Sequence, residues 1–337
     1  CLALSILLVA CGGGGGGGSG GETPTPSTPP PTISFSANPT SVLVGSESTL
    51  TWSSSNASSC AASGAWSGSR PTSGSENVTI TTVGDSSFTI TCSGEGGSSS
   101  SIVTIEGFRQ TDGVVVDGYI TGADVFIDEN ANFIADATEN STTSDNEGKF
   151  TIKYADGNLV SLGGTDLDSQ TLLDNLLITH KLAGHSEFKA ITPVTSVAAF
   201  MQDASSINST LGIDASIDIF TFDPVANKGD GGIYDYLYEK GNQLTVLAFA
   251  LQNITNNINA STDTTQDYFK AISEEIEKEY NETLTKVDIE TEAFVIKALE
   301  NVIEAKSVTI DEAARANVSR ALSGMLPIVQ VLSLIHI

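Results

Sequence analysis

The sequence predicts a multidomain chain: two all-β sandwiches followed by an all-α, bundle-like helical domain. Three observations carry that reading. Residues 33–106 alternate apolar and polar side chains between short turn signals, the period of half-buried strands. Residues 112 to about 168 do so again. From residue 190 the apolar positions fall into helical stripes. A chain of 337 residues has room for two or three such domains.

The chain opens on Leu2-Ala-Leu-Ser-Ile-Leu-Leu-Val-Ala10, followed by Cys11. This run is far shorter than the roughly 20 residues that span a bilayer. It fits the apolar region of a signal peptide, ending on a small residue. Leu8-Val9-Ala10-Cys11 resembles a bacterial lipobox. The resemblance implies that Cys11 carries a diacylglycerol on its sulfur and becomes the N-terminus after cleavage. Gly12 in place of Asp resembles lipoproteins sent on to the outer membrane. Residues 1–10 are then a signal-peptide remnant, and residues 11–32 a lipidated Gly/Pro-rich tether. Gly12 to Gly18 form its flexible part, and Thr23-Pro-Thr-Pro-Ser-Thr-Pro-Pro-Pro31 its extended polyproline part. The glycine run matches a nucleotide-binding pattern trivially, and no strand precedes it. The missing initiator Met indicates a frame that has lost its start. Leu332-Ser-Leu-Ile-His-Ile337 resembles a translated sequencing adapter, so residues 332–337, His336 among them, are set aside.

In residues 33–106, Ile33-Ser-Phe-Ser, Ser48-Thr-Leu-Thr-Trp-Ser, Asn77-Val-Thr-Ile-Thr, Ser87-Phe-Thr-Ile-Thr-Cys92 and Ser101-Ile-Val-Thr-Ile105 each read as a strand. Several strands with turn punctuation indicate a sandwich. The runs Ser36-Ala-Asn-Pro-Thr-Ser-Val, Ser48-Thr-Leu-Thr-Trp-Ser-Ser and Gly64-Ala-Trp-Ser-Gly, with Cys60 and Cys92, resemble the bacterial immunoglobulin-like module. That module is found in surface proteins and beside secreted polysaccharide-active enzymes. Of the four cysteines, Cys1 lies in the cleaved segment and Cys11 is the lipidation candidate. Cys60 and Cys92 remain, and export through an oxidising compartment is expected to pair them. The loop so closed predicts about 3–4 kcal/mol of stabilisation. Trp52 and the bridge are expected in the core. Trp66 is expected there too, with an exposed contact position as the alternative.

In residues 107–189, Val114-Val-Val-Asp-Gly-Tyr-Ile, Ala123-Asp-Val-Phe-Ile and Lys149-Phe-Thr-Ile alternate, and Asp145-Asn-Glu-Gly148 reads as a turn. The order Gly-Tyr-Ile-x-Gly-Ala-x-Val-Phe-Ile, a polar loop, then Thr-Ser-Asp-Asn-Glu-Gly-Lys-Phe, resembles a carboxypeptidase-regulatory or Cna-B type prealbumin-like module. Such a module implies a spacer or stalk.

In residues 190–331, Thr192 can cap a helix with Pro193 at its first position. Apolar stripes then run through Val194, Val197, Ala198 and Met201, and through Leu237, Leu244, Leu247, Leu251, Ile254 and Ile258, where Gly241 is a weak point. Others follow at Phe269, Ile272, Ile276 and Tyr280, and at Val295, Leu299, Val302 and Ile303. Thr309-Ile-Asp-Glu312 reads as a capping box for a last helix, with Ala314, Val318, Ala321, Leu322 and Met325 inward.

The strongest chemical pattern is Asp128-Glu-Asn130-Ala-Asn132-Phe-Ile134-Ala-Asp136-Ala-Thr-Glu139. Oxygen side chains fall in the order used by EF-hand-type calcium loops. Ca²⁺ takes six to eight oxygens. Asp128, Asn130, Asn132, Asp136 and Glu139 would supply side-chain oxygens, and Ile134 its carbonyl. Phe133 stands where the pattern needs Gly, and the flanks read as strands; a solvated acidic hairpin is the alternative. No GxSxG, HExxH, Walker or CxxC pattern occurs. His180 and His185 lack a third zinc ligand at convincing spacing and read as exposed loop histidines. Glu274, Glu275, Glu277 and Glu279 read as a solvated helix face, with Glu274 and Lys278 one turn apart. Phe222-Asp-Pro224 reads as a stop between elements.

Acidic residues outnumber basic ones 41 to 15, for a net charge of -26. Such a surface repels nucleic acid and attracts cations. The sequence is therefore read as an outer-membrane lipoprotein, facing the periplasm or the exterior. It is expected to be a non-enzymatic adhesion, binding or stalk protein, stiffened by calcium, with a polysaccharide or surface protein as ligand. One alternative is the non-catalytic part of a secreted polysaccharide-degrading enzyme. Another is a solute-binding receptor, which would need a deep apolar pocket between helices.

Overall fold

A computed structural model gives the fold for residues 28–174, 176–181, 188–229, 231–259 and 264–335; Cys11, His185 and His336 lie outside these. The chain divides into two compact units between Gly107 and Phe108. Among the described residues a β-rich part precedes a helical part, as the periodicity predicts, with six α-helices where the apolar stripes gave five. Among the described residues, no helix is long and apolar enough to cross a membrane.

The first unit is all β. Its strands are β1 (Thr32–Asn38), β2 (Ser41–Leu43), β3 (Glu47–Ser55), β4 (Ser59–Gly64), β5 (Gly68–Arg70), β6 (Ser73–Thr79), β7 (Gly84–Gly94) and β8 (Gly97–Phe108). They form two sheets, in the orders β1-β3-β6 and β2-β8-β7-β4-β5. One apolar cluster draws Leu50 and Trp52 from the first sheet and Phe88, Ile90 and Ile105 from the second. Alternation along β3 and β7 turns these residues to one face and leaves Thr and Ser on the other. Strands β2, β4 and β5 escape the sequence reading: β2 and β5 have three residues each, and β4 and β5 are rich in Ala, Ser and Gly.

Trp66 is a core residue, only 7% exposed. It stacks on Phe35 at 5.7 Å between ring centroids and meets Trp52 edge-on at 5.5 Å. The Arg70 guanidinium lies 4.7 Å above the Trp66 ring, and its Nε pairs with Glu76 at 2.8 Å. Cys60 and Cys92 are joined by a disulfide. They lie opposite each other on adjacent strands β4 and β7, so the bridge staples two neighbours within one sheet.

The second unit mixes strands and helices. Its strands are β9 (Gln110–Val115), β10 (Ile120–Thr121), β11 (Asp124–Asp128), β12 (Ser141–Thr143), β13 (Lys149–Lys153), β14 (Asn158–Leu162), β15 (Thr165–Asp166), β16 (Leu177–Lys181) and β17 (Phe188–Ile191). They form a sheet ordered β12-β11-β14-β16, a sheet ordered β13-β9-β17, and the pair β10-β15. Pairing is antiparallel except between β17 and β9.

The helices are α1 (Pro193–Phe200), α2 (Ile207–Leu211), α3 (Ile233–Asn259), α4 (Gln266–Thr283), α5 (Glu292–Lys306) and α6 (Glu312–Ile335). Helix α1 starts as its residues dictate. Thr192 accepts from the Thr195 N–H, Thr195 reaches back to the Thr192 N–H, and Pro193 takes the first position. Helix α1 packs on β16 and α4, while α6 lies along α3 and α5.

The sequence reading puts a boundary at residue 189. In the structure one core runs across that position. Val115, Ile127, Phe150 and Leu159 share a cluster with Val197, Leu244, Ile272 and Phe294. Sheets of such short strands bury an apolar face only against something else, and here the helices supply it.

The last helix differs in detail. Asp311 caps it, accepting from the Ala314 N–H at 2.7 Å, in place of Thr309. Ser319, Leu322 and Leu326 are the buried positions, while Met325 is 49% exposed. The inward stripe is thus turned by one residue, and Arg315 reaches Glu300 at 3.1 Å. Ile258, expected inward on α3, is also exposed.

The staple between β4 and β7 can be tested directly. Replacing both Cys60 and Cys92 by Ala is expected to lower the stability of the first unit by about 3–4 kcal/mol. Denaturant unfolding followed by tryptophan emission measures it.

Candidate functional site

The 128–139 loop joins the antiparallel strands β11 and β12. Asp128 ends β11 and is 1% exposed. Its Oδ1 accepts from the Asn132 N–H and its Oδ2 from the Phe133 N–H, both at 3.1 Å. Asn130 Oδ1 accepts from the Asn132 N–H at 3.0 Å, and Asn132 Oδ1 from the Ile134 N–H at 2.7 Å. Asp136 Oδ2 takes both amide groups, Asn130 Nδ2 at 2.7 Å and Asn132 Nδ2 at 3.0 Å. Glu139 closes the ring: Oε1 accepts from the Glu129 N–H at 2.9 Å and Oε2 from the Asp136 N–H at 3.1 Å.

The structure therefore brings Asp128, Asn130, Asn132, Asp136 and Glu139 into one coil. Ile134 lies on its outside, with a side chain 63% exposed. The missing glycine is accommodated rather than replaced. Phe133 adopts φ +59°, the left-handed conformation that Gly would favour, as does Ala131. That costs an L-residue roughly 1–2 kcal/mol. Phe133 is held there by packing: it joins Phe126 and Val160, and its ring lies 5.6 Å from that of Phe200 on α1. The donor set is all oxygen, the kind a hard cation takes. Its carboxylates are turned onto loop N–H groups. Among the described residues, no group of three His, Cys, Asp or Glu side chains stands in metal-holding geometry.

A second cluster was not anticipated. Asp117 follows the apolar run Val114-Val115-Val116 at the turn between β9 and β10. The residue retains some solvent-exposed surface, but its Oδ1 is sealed off and has no hydrogen-bond partner. The Thr245 hydroxyl on α3 acts on the carboxyl without closing a normal hydrogen bond, and Thr245 Oγ1 is likewise unpartnered. Burial, reinforced by the negative charge of Asp166, lifts the Asp117 carboxyl to about 7. Gly118 makes the arrangement fit, since a Cβ there would stand 2.1 Å from Asp166 Oδ1.

The rest of the cluster is paired. Asp166 Oδ1 accepts from the Asp168 N–H at 2.9 Å, and its Oδ2 from the Ser169 hydroxyl at 2.6 Å. Asp168 forms an ion pair with Lys228 and accepts the Tyr238 hydroxyl at 3.1 Å. Tyr119 donates to Asp223 at 3.0 Å. Burial first, and the neighbouring aspartates second, raise both phenols above their ordinary value. The signal for Asp117 was present in the sequence as an acid placed directly after three apolar residues.

Other sequence readings resolve differently. Glu275 is not solvated. It is fully buried on α4, with Lys297 of α5 at 3.4 Å from its Oε1. Glu277 accepts from the Gln202 N–H at 3.1 Å. Lys278 reaches Glu275, and Glu274 is reached by Lys270 instead. His180 falls in β16 rather than a loop. Asp223 Oδ1 accepts from the Val225 N–H at 2.9 Å, which fixes the expected turn at Pro224. Two clefts are polar. One of about 580 Å³ is lined by Asp112, Thr142, Asp145, Lys149 and Thr151. Another of about 280 Å³, between α4 and α5, is lined by Asp267, Lys270, Glu274 and Lys306.

Comparison with known protein families and with curated proteins gives no match.

The buried carboxyl makes stability depend on pH. Its folded value, about 7, exceeds its ordinary value of 3.8. Its contribution is therefore complete below pH 3.8 and lost as pH rises through about 7. The span corresponds to about 4 kcal/mol at most. Unfolding measured at constant ionic strength in buffers of organic ions should show this decline between acid and neutral pH. Asp117→Asn should flatten it.

Proposed function

We propose that the protein is an exported, lipid-anchored lipoprotein of the bacterial outer membrane, facing the periplasm or the exterior. It acts as a non-enzymatic stalk or binding protein, with a polysaccharide or a surface protein as its ligand. The first unit corresponds to the immunoglobulin-like module of the sequence reading, and the strands of the second to the prealbumin-like module. Cys11 carries the lipid, and the Gly/Pro tether sets the units off the membrane.

The observation that carries this reading is the 128–139 loop. Asp128, Asn130, Asn132, Asp136 and Glu139 are the residues that would hold Ca²⁺, with the Ile134 carbonyl. Bound there, Ca²⁺ would offset two of the three negative charges of Asp128, Asp136 and Glu139. The loop residues already curl round one centre. Phe133 ties that curl to Phe200, so ordering of the loop is passed to the end of α1. Stiffening would be the mechanical contribution of the site. The Cys60–Cys92 bridge supports export, since such bonds persist in oxidising compartments.

Titration calorimetry of the full chain with Ca²⁺ should give a saturable heat and a raised melting temperature. Both should vanish in the Asp128→Asn/Glu139→Gln variant. No heat and no thermal shift at millimolar Ca²⁺ would overturn the calcium reading. The anchor is tested separately. Expressed behind a complete signal peptide, the protein should fractionate with membranes, and Cys11→Ser should release it to the soluble fraction.

A further inference from the structure

The cleft of about 580 Å³ opens where two sheets of the second unit come edge to edge. Strand β12 ends one of these sheets and β13 ends the other. Thr142 and Thr143 line it from β12, and Lys149 and Thr151 from β13, with Asp112 of β9 beside them. Asp145, in the turn that carries the chain from β12 to β13, also lines it. Its volume falls within the range of ligand-binding clefts, about 300–1,000 Å³.

The two carboxylates here are half used. Asp112 Oδ1 accepts the Thr151 hydroxyl at 2.5 Å. Asp145 Oδ1 accepts the N–H groups of Glu147 and Lys149 at 2.8 and 2.9 Å. The Oδ2 of each makes no hydrogen bond among the described residues. The main chain adds donors and acceptors. Bonds between β12 and β11 run through Asn140 and Ser144, so by alternation Thr143 turns its N–H and C=O away from β11. Bonds between β13 and β9 run through Gly148 and Tyr154, so Thr151 turns its own away from β9. Apart from Gly113 and Phe150, every lining side chain is polar, and the Phe150 ring belongs to the core.

We propose that this cleft binds a short stretch of a neutral polysaccharide, gripped through the hydroxyls of its sugar rings. A sugar hydroxyl both donates and accepts, so it suits walls that mix carboxylate oxygens, threonine hydroxyls and main-chain groups. An anionic chain is repelled, since Asp112 and Asp145 would face it on a protein of net charge -26. A protein segment fits less well. Lys149 and Lys153 lie along the β13 edge, and cations there guard a strand against pairing with another chain. The lining also lacks an apolar pocket for the large anchors on which protein interfaces rest. The proposal rests on the binding-protein reading above and selects the polysaccharide among its ligands. It requires neither the lipid anchor nor calcium.

The test is affinity electrophoresis of the full chain with EGTA present throughout. The gels contain a neutral polymer (glucomannan, starch or mixed-linkage β-glucan) or an anionic one (polygalacturonate or alginate). At least one neutral polymer should retard the protein, and neither anionic one should. Asp112→Asn/Asp145→Asn keeps both Oδ1 acceptors, and with them the turn, but replaces each Oδ2 by an amide donor. It should weaken binding by about tenfold or more at an unchanged melting temperature. Thr143→Val, outside the turn, should weaken it also. Retardation undiminished in the double variant would place the polysaccharide elsewhere on the protein and overturn this inference alone. No retardation by any neutral polymer would overturn it together with the polysaccharide reading of the ligand. Saturable binding of oligolysine instead, lost in the double variant, would give the cleft to a protein segment and equally overturn the proposal.

Discussion

The second unit depends on the burial of apolar side chains between short strands and long helices. Strands β10 and β15 have two residues each, and the longest strands in this unit have six. Such elements form no stable sheet alone. Phe150, Ile127 and Leu159 find their cover in α1, α3, α4 and α5. The helices are equally dependent, because Leu244, Leu247 and Leu251 would otherwise face water. The mixed core therefore sets the positions of both features described above. It seats Phe200 next to the 128–139 loop and brings Thr245 of α3 against Asp117.

Charge is placed under the same constraint. With 41 acids and 15 bases, most carboxylates must be solvated or satisfied by backbone N–H groups. The bases stand where acids have been drawn inward. Lys297 meets buried Glu275, and Lys240 meets Glu290, which also accepts from Gln243 at 2.8 Å. Lys228 serves Asp168 and lies 4.9 Å over the Tyr238 ring. Asp117 is left with a sealed oxygen outside this scheme.

Long periodic elements were legible in the sequence because their physics is local. The spacing of Leu244, Leu247 and Leu251 fixes a helix face, and Thr192-Pro193 fixes a helix start. The five alternating runs of residues 33–106 each fall on or across a strand. What was not legible depends on partners distant in the chain. Strand β4 takes its conformation from pairing with β7, and β5 from pairing with β4, not from their Ala, Ser and Gly content. Glu275 looks like its solvated neighbours until Lys297 arrives from another helix. The oxygen order of the 128–139 loop was legible, but the tolerance of Phe133 at a left-handed position was not. It rests on Phe126, Val160 and Phe200.

Aromatic residues are also segregated between the units. Trp52 and Trp66, the two tryptophans, both sit in the first unit's core, and all seven tyrosines belong to the second. The indoles pack on each other beneath the Arg70 guanidinium, while the phenols line α3, α4 and the turns beside the Asp168 cluster. Each half of the molecule thus carries its own optical label. Indole emission follows the stapled sheets, and phenol absorbance follows the mixed core, within a single undivided chain.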